Sequence, residues 1–434
     1  MNKKKLLKNF ALVFCSIFAF SASVIAQDDT IRIMQYNLFR YGETNKEPSV
    51  KNPLLINIVN HVQPDIIGVN EVSAVADYAQ NVLTGALNVN GVTKWRRASL
   101  SKAGVDKSLT NTIFYDVNKF KLLKQDTVST VQREITAFNF MYNDSNIAKT
   151  KDTIFFCVIV LHFKAGNTSS DAAIRANEAT QIVNYINKFS TAKNIMVMGD
   201  YNVYSNTEGG FANLVSNTSA INRLSDPINR VGTWNNNANF ADVHTQSTHT
   251  SQTGGFSGGG MDDRFDIMLC STSLMQDSLK MYYLPGTYTA VGNDGKHFNL
   301  AINDAPVNTS VPSTVLNALY NMSDHLPITA DFALKPAKPL PQGFDGIKKK
   351  RASEIQIENP VNDNLNIHVS AFYLNKNLKF ELYNLNAQKI ESFEIRFSDN
   401  DQQYEWKTSS LKGMYILNII DEEGIHIQKK IVFN

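Results

Sequence analysis

The sequence contains little cysteine. Only Cys15, Cys157 and Cys270 occur among its 434 residues, and Cys15 lies in an N-terminal apolar segment. The remaining two cysteines allow at most one disulfide, which excludes a disulfide framework as the basis of the fold. Cys157 and Cys270 each lie in an apolar run, so we expect buried structural thiols, although their spacing leaves open whether they pair.

A strong net charge is also absent. The formal net charge is +2, so composition alone requires neither a nucleic acid nor an anionic membrane as partner. One apolar run approaches the length of a membrane span: "ALVFCSIFAFSASVIA", preceded by the basic "MNKKKLLKNF". Val24 and Ala26 fit the −3 and −1 positions of a secretory cleavage site, so we predict a signal peptide over residues 1–26 and a mature chain from Gln27. An uncleaved anchor is the alternative, but the run is short for a span, so we expect no stable membrane insertion.

Strand and helix patterns alternate from residue 31. Strand patterns occur in "IRIMQYNLF", "DIIGVNEV", "NTIFYD", "DTIFFCVIVLHF", "NIMVMGDYN", "RFDIMLCS" and "LPITADFAL". Helical spacing occurs in "PSVKNPLLINIVNHV" and in "SSDAAIRANEATQIVNYINKF", which begins with capping residues. This alternation predicts an α+β domain around a mostly β core. Two stretches rich in Gly, Asn, Ser and Thr, residues 205–222 and 245–261, predict surface loops.

The composition changes after residue 334. Residues 335–351, "KPAKPLPQGFDGIKKKR", are rich in Pro and Lys and predict a linker. Residues 352–434 contain short alternating strand patterns such as "LKFELYNL" and "MYILNIID", which predict a small all-β sandwich. We therefore expect a first domain over residues 27–334 and a second over residues 352–434.

Polar residues stand at the ends of the predicted strands of the first domain. Such positions, on loops held by a rigid scaffold, are where α/β folds place functional sites. Each residue also has an innocent explanation as a turn, a cap or, for His162, a hydrogen-bonded core histidine. Oxygen ligands without a thiolate or a close histidine pair favour a hard cation such as Mg²⁺ over structural zinc. Together the set suits metal-assisted hydrolysis of a phosphate ester. Its members are Asn37, Glu71, His162, Asp200, Asn202, Asp266, Asp324 and His325.

The order of these motifs resembles the endonuclease/exonuclease/phosphatase superfamily, which includes DNase I-like nucleases, sphingomyelinases and inositol polyphosphate phosphatases. The motifs appear as "QYN", "GVNEV", "LHF", "GDYN", "RFD" and "SDHLP", within about residues 29–334. The resemblance implies a four-layer α/β/β/α sandwich, with two central sheets packed face to face and helices outside. It also implies a divalent metal, with Mg²⁺ first and Mn²⁺ or Ca²⁺ as alternatives.

The resemblance implies a role for each matching residue. Glu71 would bind the metal, with Asn37 beside it and Asp324 close by. Asp200 would handle the proton of the attacking water, and Asn202 would orient that water. His162 and His325 would contact the scissile phosphate, and Asp266 would orient the ring of His325.

The chain departs from the family pattern in detail. The third motif carries His162 where other members have Tyr, which is closer to DNase I-like and sphingomyelinase-like members. "MDDRFDIML" offers several acidic residues, so the choice of Asp266 depends on the alignment to R-x-D. Arg175 matches an Arg often seen in secreted bacterial members, but a helix-to-loop salt bridge explains it equally well.

The C-terminal residues carry a second resemblance. "ENPVNDNLNIHV", "LKGMYIL" and the Lys-containing terminal strand are similar to the sorting domain of the Bacteroidetes type IX secretion system. This resemblance implies export through that machinery, with release or attachment at the cell surface. An immunoglobulin-like binding module is the alternative.

Three functions remain open at this point. An extracellular nuclease acting on DNA or RNA leads, and "TKWRRASLSKAGVDK" (residues 93–107) offers Trp95, Arg96 and Arg97 as a phosphate-contacting segment or an ordinary basic loop. A phosphodiesterase or phosphatase for a sphingolipid or inositol phosphate is the second. A surface binding protein with an inactive catalytic fold is the third, and the intact motifs argue against it. We expect a monomer.

Overall fold

A computed structural model describes residues 29–100, 108–129, 131–337, 344–398, 402–408 and 410–434. The predicted signal peptide therefore lies outside the described residues. The chain divides into two compact units with the boundary between Ala337 and Lys338. No helix of the described residues is long and apolar enough to cross a membrane.

The first unit contains two central sheets. Strands are numbered in chain order. One sheet has the order β11-β13-β1-β2-β4-β3, with β12 beside β13, and the other has the order β5-β6-β7-β8-β10-β9. The strands are β1 Asp29–Tyr41, β2 Ile66–Ser73, β3 Trp95–Arg97, β4 Leu109–Asp116, β5 Phe120–Ser129, β6 Ile135–Tyr142, β7 Phe155–His162, β8 Asn194–Asp200, β9 Leu224–Ser225, β10 Asp266–Ser271, β11 Met281–Tyr283, β12 Thr289–Ala290 and β13 Ile328–Leu334.

Helices cover the outer faces of both sheets. The α-helices are α1 Pro48–Val62, α2 Tyr78–Val82, α3 Ile147–Thr150, α4 Ser169–Ile186, α5 Gly209–Ser216, α6 Thr272–Gln276 and α7 Ser313–Met322. A π-helical turn spans Leu83–Leu87, and 3₁₀ turns span Ala220–Asn222, Ala238–Val243 and Thr253–Gly255. Helix α1 has Pro at its first turn, and α4 begins with a capping box between Thr168 and Asp171, as expected for helix starts.

The core is layered. Ile33 of β1 and Val158 of β7 belong to one buried cluster between the two sheets. Leu55 of α1 and Leu319 of α7 pack on the outer face of the first sheet, and Ile182 of α4 packs on that of the second. The predicted four-layer α/β/β/α sandwich is therefore confirmed. Cys157 and Cys270 are buried and unpaired, which confirms the expectation of structural thiols.

Two loop predictions need correction. Residues 205–222 contain α5, whose Phe211 and Leu214 are buried against the second sheet. The two glycines that open this helix concealed it, because Gly has low helix propensity. Within residues 245–261, the start is buried, including Thr245, Thr248 and His249, and so is Met261 at the end, so only the middle of the segment forms an exposed loop.

The second unit is all-β apart from one helix. Helix α8, Phe344–Ser353, begins inside the predicted linker. Two antiparallel sheets follow, with the orders β14-β15-β18 and β17-β16-β19-β20. One buried cluster joins them, including Leu365, Phe380 and Leu417. The predicted small β-sandwich is confirmed. Its strands are β14 Ile355–Ile357, β15 Asn364–Val369, β16 Asn377–Asn384, β17 Lys389–Arg396, β18 Gln403–Lys407, β19 Gly413–Asp421 and β20 His426–Phe433, and a 3₁₀ turn spans Ala371–Tyr373.

Gly199 allows β7 and β8 to approach closely just before Asp200. A Cβ at Gly199 would lie 1.9 Å from the backbone oxygen of Leu161, the residue opposite it in β7. We therefore expect Gly199→Ala to lower the free energy of unfolding by at least about 3 kcal/mol. Urea unfolding followed by tryptophan fluorescence would measure this change.

Gly91→Ala is the matched control for this substitution. Gly91 also has a positive φ (+86°), but its added Cβ would meet nothing within 4 Å. Its cost should be that of the backbone conformation alone, about 1–2 kcal/mol. Equal losses in the two variants would contradict the close-approach argument.

Candidate active site

The predicted site residues meet because of how their strands run. Strands β1 and β2 are parallel, and Asn37 lies opposite Asn70, one residue before Glu71. Strands β7 and β8 are parallel, with His162 opposite Asp200. Strand β10 is antiparallel to β8, so its first residue Asp266 also lies opposite Asp200. Strand β13 is antiparallel to β1, which brings the preceding turn with Asp324 and His325 to the same end.

Asn37 is the central hydrogen-bond donor of the site. Its Nδ2 donates to Glu71 Oε1 at 3.2 Å and to Asp200 Oδ2 at 3.1 Å, which links the two sheets. Its Oδ1 accepts a hydrogen bond from the Phe39 backbone N–H at 2.9 Å. Ser323 Oγ donates to the Asn37 backbone oxygen at 2.7 Å. Asn37 therefore connects the elements that carry the other groups.

Glu71 is presented by a distorted strand. The pairing of β2 shifts register between Val69 and Val72 on one side, and β1 does so between Asn37 and Tyr41. Glu71 itself has φ = +59°, a left-handed conformation that is uncommon away from glycine. Bulges of this kind redirect side chains next to functional sites. Burial and the nearby Asp324 carboxylate raise the pKa of Glu71.

Asp200 and Asn202 share one turn after β8. The Asn202 backbone N–H donates to Asp200 Oδ1 at 3.0 Å, and Asn202 Nδ2 donates to the Phe163 backbone oxygen at 3.3 Å. The pKa of Asp200 is raised to about 7, and burial is the largest of the effects that raise it. A carboxyl group with that pKa can accept and release a proton near neutral pH.

His162 is a buried imidazole beside two carboxylates. Its Nε2 lies 3.4 Å from Asp200 Oδ2 and 3.7 Å from Glu71 Oε1. Burial, together with the positive charges of Arg133 and His325, lowers the pKa of His162 well below its ordinary value, so the ring is neutral at physiological pH. Within the described part of the chain, Nδ1 of His162 is buried without a hydrogen-bond partner.

His325 has the opposite protonation state. Its Nδ1 lies 2.7 Å from Asp266 Oδ2, and its Nε2 lies 2.8 Å from Gln246 Nε2 and 3.7 Å from Asp200 Oδ2. Burial disfavours the charged ring, but the carboxylates of Asp266 and Asp200 outweigh this and raise the pKa of His325 well above its ordinary value. The site thus holds one neutral and one charged imidazole.

Asp324 lies next to this group without a direct hydrogen bond to Asn37 or Glu71 among the described residues. Its Oδ2 accepts a hydrogen bond from the Ser257 backbone N–H at 2.9 Å. Its Oδ1 and the Oδ1 of Asp266 are buried, and neither has a hydrogen-bond partner in the described ranges. Buried carboxylate oxygens without hydrogen-bond partners are suited to binding a cation.

The donor set fits a divalent metal. Glu71, His162 and Asp200 each offer a ligand atom, and these three atoms lie within 4.8 Å of one another. Sequence reasoning selected Glu71 but grouped it with Asn37 and Asp324. In the structure Asn37 faces Glu71 with its Nδ2, while its oxygen is bound to Phe39. The geometric cluster therefore overlaps the predicted one at Glu71.

Sequence reasoning missed several supporting residues. Asn70 accepts from the Asp200 backbone N–H at 3.1 Å and donates to the Leu161 backbone oxygen at 2.8 Å. Gln246 contacts His325, and the charge of Arg133 acts on His162. Lys51 is buried beside the site. An amide or a lysine inside an apolar pattern was the available signal for Asn70 and Lys51.

Two basic features named from the sequence differ in their surroundings. Arg175 is buried and pairs with Glu208, and its Nη1 donates to the backbone oxygens of Lys164 and Gly166. It therefore supports the loop after His162 as a helix-to-loop salt bridge. In the segment 93–107, Trp95 is buried in the core and Arg97 pairs with Asp77. Trp95 is therefore not accessible for stacking on a base. Arg96 is exposed, and residues 101–107 lie outside the described residues.

Comparison with known proteins identifies the second domain. Residues 359–434 match the family described as "Secretion system C-terminal sorting domain". The predicted type IX sorting domain is thereby confirmed, and it marks the protein for export to the cell surface or the medium. No curated protein sequence matches the chain significantly.

Several solved structures are similar to this chain. The human nocturnin catalytic domain is 16% identical, with 71% of this chain and 97% of that chain covered and a TM-score of 0.43. An endonuclease/exonuclease/phosphatase from Bacteroides vulgatus is 14% identical, with 70% and 99% covered and a TM-score of 0.44. A mannosyl-6-phosphatase from Bacteroides thetaiotaomicron is 12% identical, with 70% and 100% covered and a TM-score of 0.43.

The carboxylate cluster predicts metal-dependent stabilisation. A cation that binds only the folded state stabilises it by mass action, so millimolar Mg²⁺ should raise the melting temperature of residues 27–434 by about 2–6 °C. Glu71→Gln should abolish this shift because it removes a charged ligand. Thermal unfolding with and without chelator would measure the effect.

Asp152→Asn is the control for Glu71→Gln. Asp152 is an exposed carboxylate paired with Lys280. This variant should retain the full Mg²⁺ shift. A shift that persists in Glu71→Gln would mean that the ion binds elsewhere.

Proposed function

We propose that this protein is a secreted, divalent-metal-dependent phosphoesterase that hydrolyses phosphodiester bonds of DNA or RNA. The observation that carries the proposal is the contact group formed by Asn37, Glu71, His162, Asp200 and the Asp266–His325 pair. Carboxylates and imidazoles brought together from both sheets suit the cleavage of a phosphate ester, where a water must lose a proton and an anion must be stabilised.

The shifted pKa values of Asp200 and His325 support different roles for these two side chains in the reaction. Asp200, with its pKa raised to about 7, is the group suited to accept the proton of the attacking water. His325 is held charged by Asp266, so its Nε2–H can donate to a phosphate oxygen of the substrate. Groups whose environments separate their pKa values are the usual acid–base partners of an active site.

Glu71, with Asp324 and Asn37 nearby, would hold Mg²⁺, Mn²⁺ or Ca²⁺. The bound ion would neutralise charge on the phosphoryl group. His162 is neutral and lies beside Glu71 and Asp200, so it can serve either as a ligand or as a hydrogen-bond donor to the substrate. Asn202 shares the turn of Asp200 and is held there by its backbone and side-chain hydrogen bonds.

Beside the site, the partly exposed rings of Phe256 and Tyr320 pack on the buried Phe39 and His249 in a ring stack, and they favour a nucleic acid over a small phosphate ester. Phe39 contacts Phe256 with ring centroids 4.5 Å apart, and His249 stacks between Phe256 and Tyr320 at 4.3 Å and 3.9 Å. Lys46 Nζ lies 4.9 Å from the Phe39 centroid. Accessible aromatic rings next to a positive charge are a usual means of binding single-stranded nucleic acid, and export to the exterior suits a polymeric substrate.

Substrate and metal dependence can be tested together. Purified residues 27–434 would be incubated with plasmid DNA, RNA, sphingomyelin and a soluble inositol polyphosphate, each with Mg²⁺ or with chelator. We expect chelator-sensitive cleavage of DNA or RNA, and Asp200→Asn should lower the rate by about 100-fold or more with the fold retained. Product length would separate endonuclease from exonuclease action.

Asp331→Asn is the matched control. Asp331 of β13 forms a salt bridge with Arg32 of β1 at 2.7 Å, and neither residue belongs to the candidate site. It should retain activity. Release of phosphate or phosphocholine with inert nucleic acid would move the protein to the lipid or inositol phosphate alternative, and full activity of Asp200→Asn would refute the assigned role.

Deletion of residues 352–434 tests the route of export. The active-site residues all lie in the first unit, so the truncated chain should remain active but stay inside the cell. Activity assays on cell fractions and medium would measure this. Normal secretion of the truncated chain would contradict the role of the sorting domain.

A further inference from the structure

A buried lysine lies behind the candidate active site. Lys51, on the first turn of α1, is only 1% exposed. Lysine is seldom buried to this degree, because removing an ammonium group from water is costly unless it is paired or hydrogen-bonded. Burial lowers the pKa of Lys51 to about 8. The ammonium group of Lys51 therefore needs specific partners if it is to stay charged at this buried position.

The first partners of Lys51 are at the end of α7. Its Nζ donates to the backbone oxygen of Met322 and, at 3.3 Å, to that of Asn321. The last carbonyls of a helix have no partner within the helix, and together they carry partial negative charge. Ser323, Asp324 and His325 follow immediately. Lys51 therefore bonds the end of α7 directly before the turn that carries Asp324 and His325.

The second partners are two aromatic rings. Lys51 Nζ lies 5.5 Å from the Phe39 centroid and 5.1 Å from the Phe256 centroid, within the range of cation–π attraction. Each ring belongs to a segment that contacts the site through its backbone. The N–H of Phe39 donates to Asn37 Oδ1 at 2.9 Å. The N–H of Ser257, next to Phe256, donates to Asp324 Oδ2 at 2.9 Å.

Three separate chain segments therefore meet at one ammonium group. They are the turn after α7, the bulged end of β1 and the glycine-rich loop that carries Phe256. The last segment has five glycines close to Phe256 in the run "GGFSGGG", so it has little conformational restraint of its own. An apolar side chain at position 51 could fill the same space but could not bond the two carbonyls.

We propose that Lys51 is a positioning residue that sets the placement of Asp324 and His325 relative to Asn37. This inference rests on the proposed phosphoesterase function for its kinetic consequence. A residue of this kind affects the alignment needed in the transition state more than the binding of the ground state.

Lys51→Met tests the proposal in the chain of residues 27–434, because Met retains an unbranched apolar side chain without the ammonium group. We expect kcat to fall about 10–100-fold, with KM changed less than about threefold. Lys335→Met is the matched control: Lys335 pairs with Asp277 and lies 4.4 Å from the Tyr282 centroid, at the opposite end of β13 from His325. Its kcat should be unchanged.

A second readout does not depend on activity. The amides of Ser323, His325 and Leu326 are hydrogen-bonded to Leu319 O, Ser323 Oγ and Thr245 O. In Lys51→Met we expect their hydrogen exchange to accelerate at least about tenfold, with exchange in β7 unchanged. If the wild-type chain cleaves no phosphate ester, the proposed function fails, but this measurement still decides whether Lys51 holds the turn.

Three results would overturn the proposal. They are wild-type kcat in Lys51→Met, unchanged exchange of the turn amides, and a loss of kcat that only follows a loss of folded protein. Lys51→Gln provides a second, polar variant of lower burial cost, and it should show the same kinetic defect. Failure of both variants to fold would assign Lys51 to folding and not to positioning.

Discussion

Four carboxylates, those of Glu71, Asp200, Asp266 and Asp324, are held close together at one end of the two sheets, and little water reaches them. Carboxylates in such surroundings repel each other and lose solvation, so the arrangement depends on compensating donors and cations. Asn37 supplies a shared amide donor, and backbone N–H groups supply others. The charged ring of His325 supplies positive charge. Asp266 Oδ1 and Asp324 Oδ1 are still buried without a partner in the described ranges, and a divalent cation would compensate for this remaining negative charge.

The sheets provide the rigidity that this compensation requires. Strands that are buried on both faces, such as β7, fix the positions of their terminal residues through a continuous ladder. Gly199 lets β8 approach β7 one residue before Asp200. The bulge at Glu71 then turns its carboxylate toward the second sheet. The same end of the fold thus combines a regular scaffold with local distortions, which is a common arrangement at functional sites.

Lys51 and the ring stack pack beside this group of carboxylates. The glycine-rich loop contributes a backbone donor to Asp324 and a ring to the stack. This loop therefore contacts both the candidate site and the rings packed beside it. The buried ammonium group of Lys51 contacts this loop and the end of α7 together, so one residue links the loop to the turn that carries His325.

Much of the fold could be predicted from the sequence. Strand and helix periodicity indicated an α+β domain, the resemblance implied its four layers, and "PSVKNPLLINIVNHV" corresponds to α1 residue for residue. The helix inside residues 209–216 and the buried part of the 245–261 loop were not predictable, because packing against the second sheet and the His325 turn outweighed local propensity.

The order and chemical type of the site residues, the sorting domain and the layered fold were determined by the sequence itself, because periodicity and motif order are properties of the chain. Tertiary structure alone decided that Asp266 bonds His325 across 59 positions and that Asn37 reaches Asp200 across 163. It also decided that one imidazole is neutral and the other charged. Protonation depends on burial and on charges from distant segments, and no local pattern records which distant segments will meet.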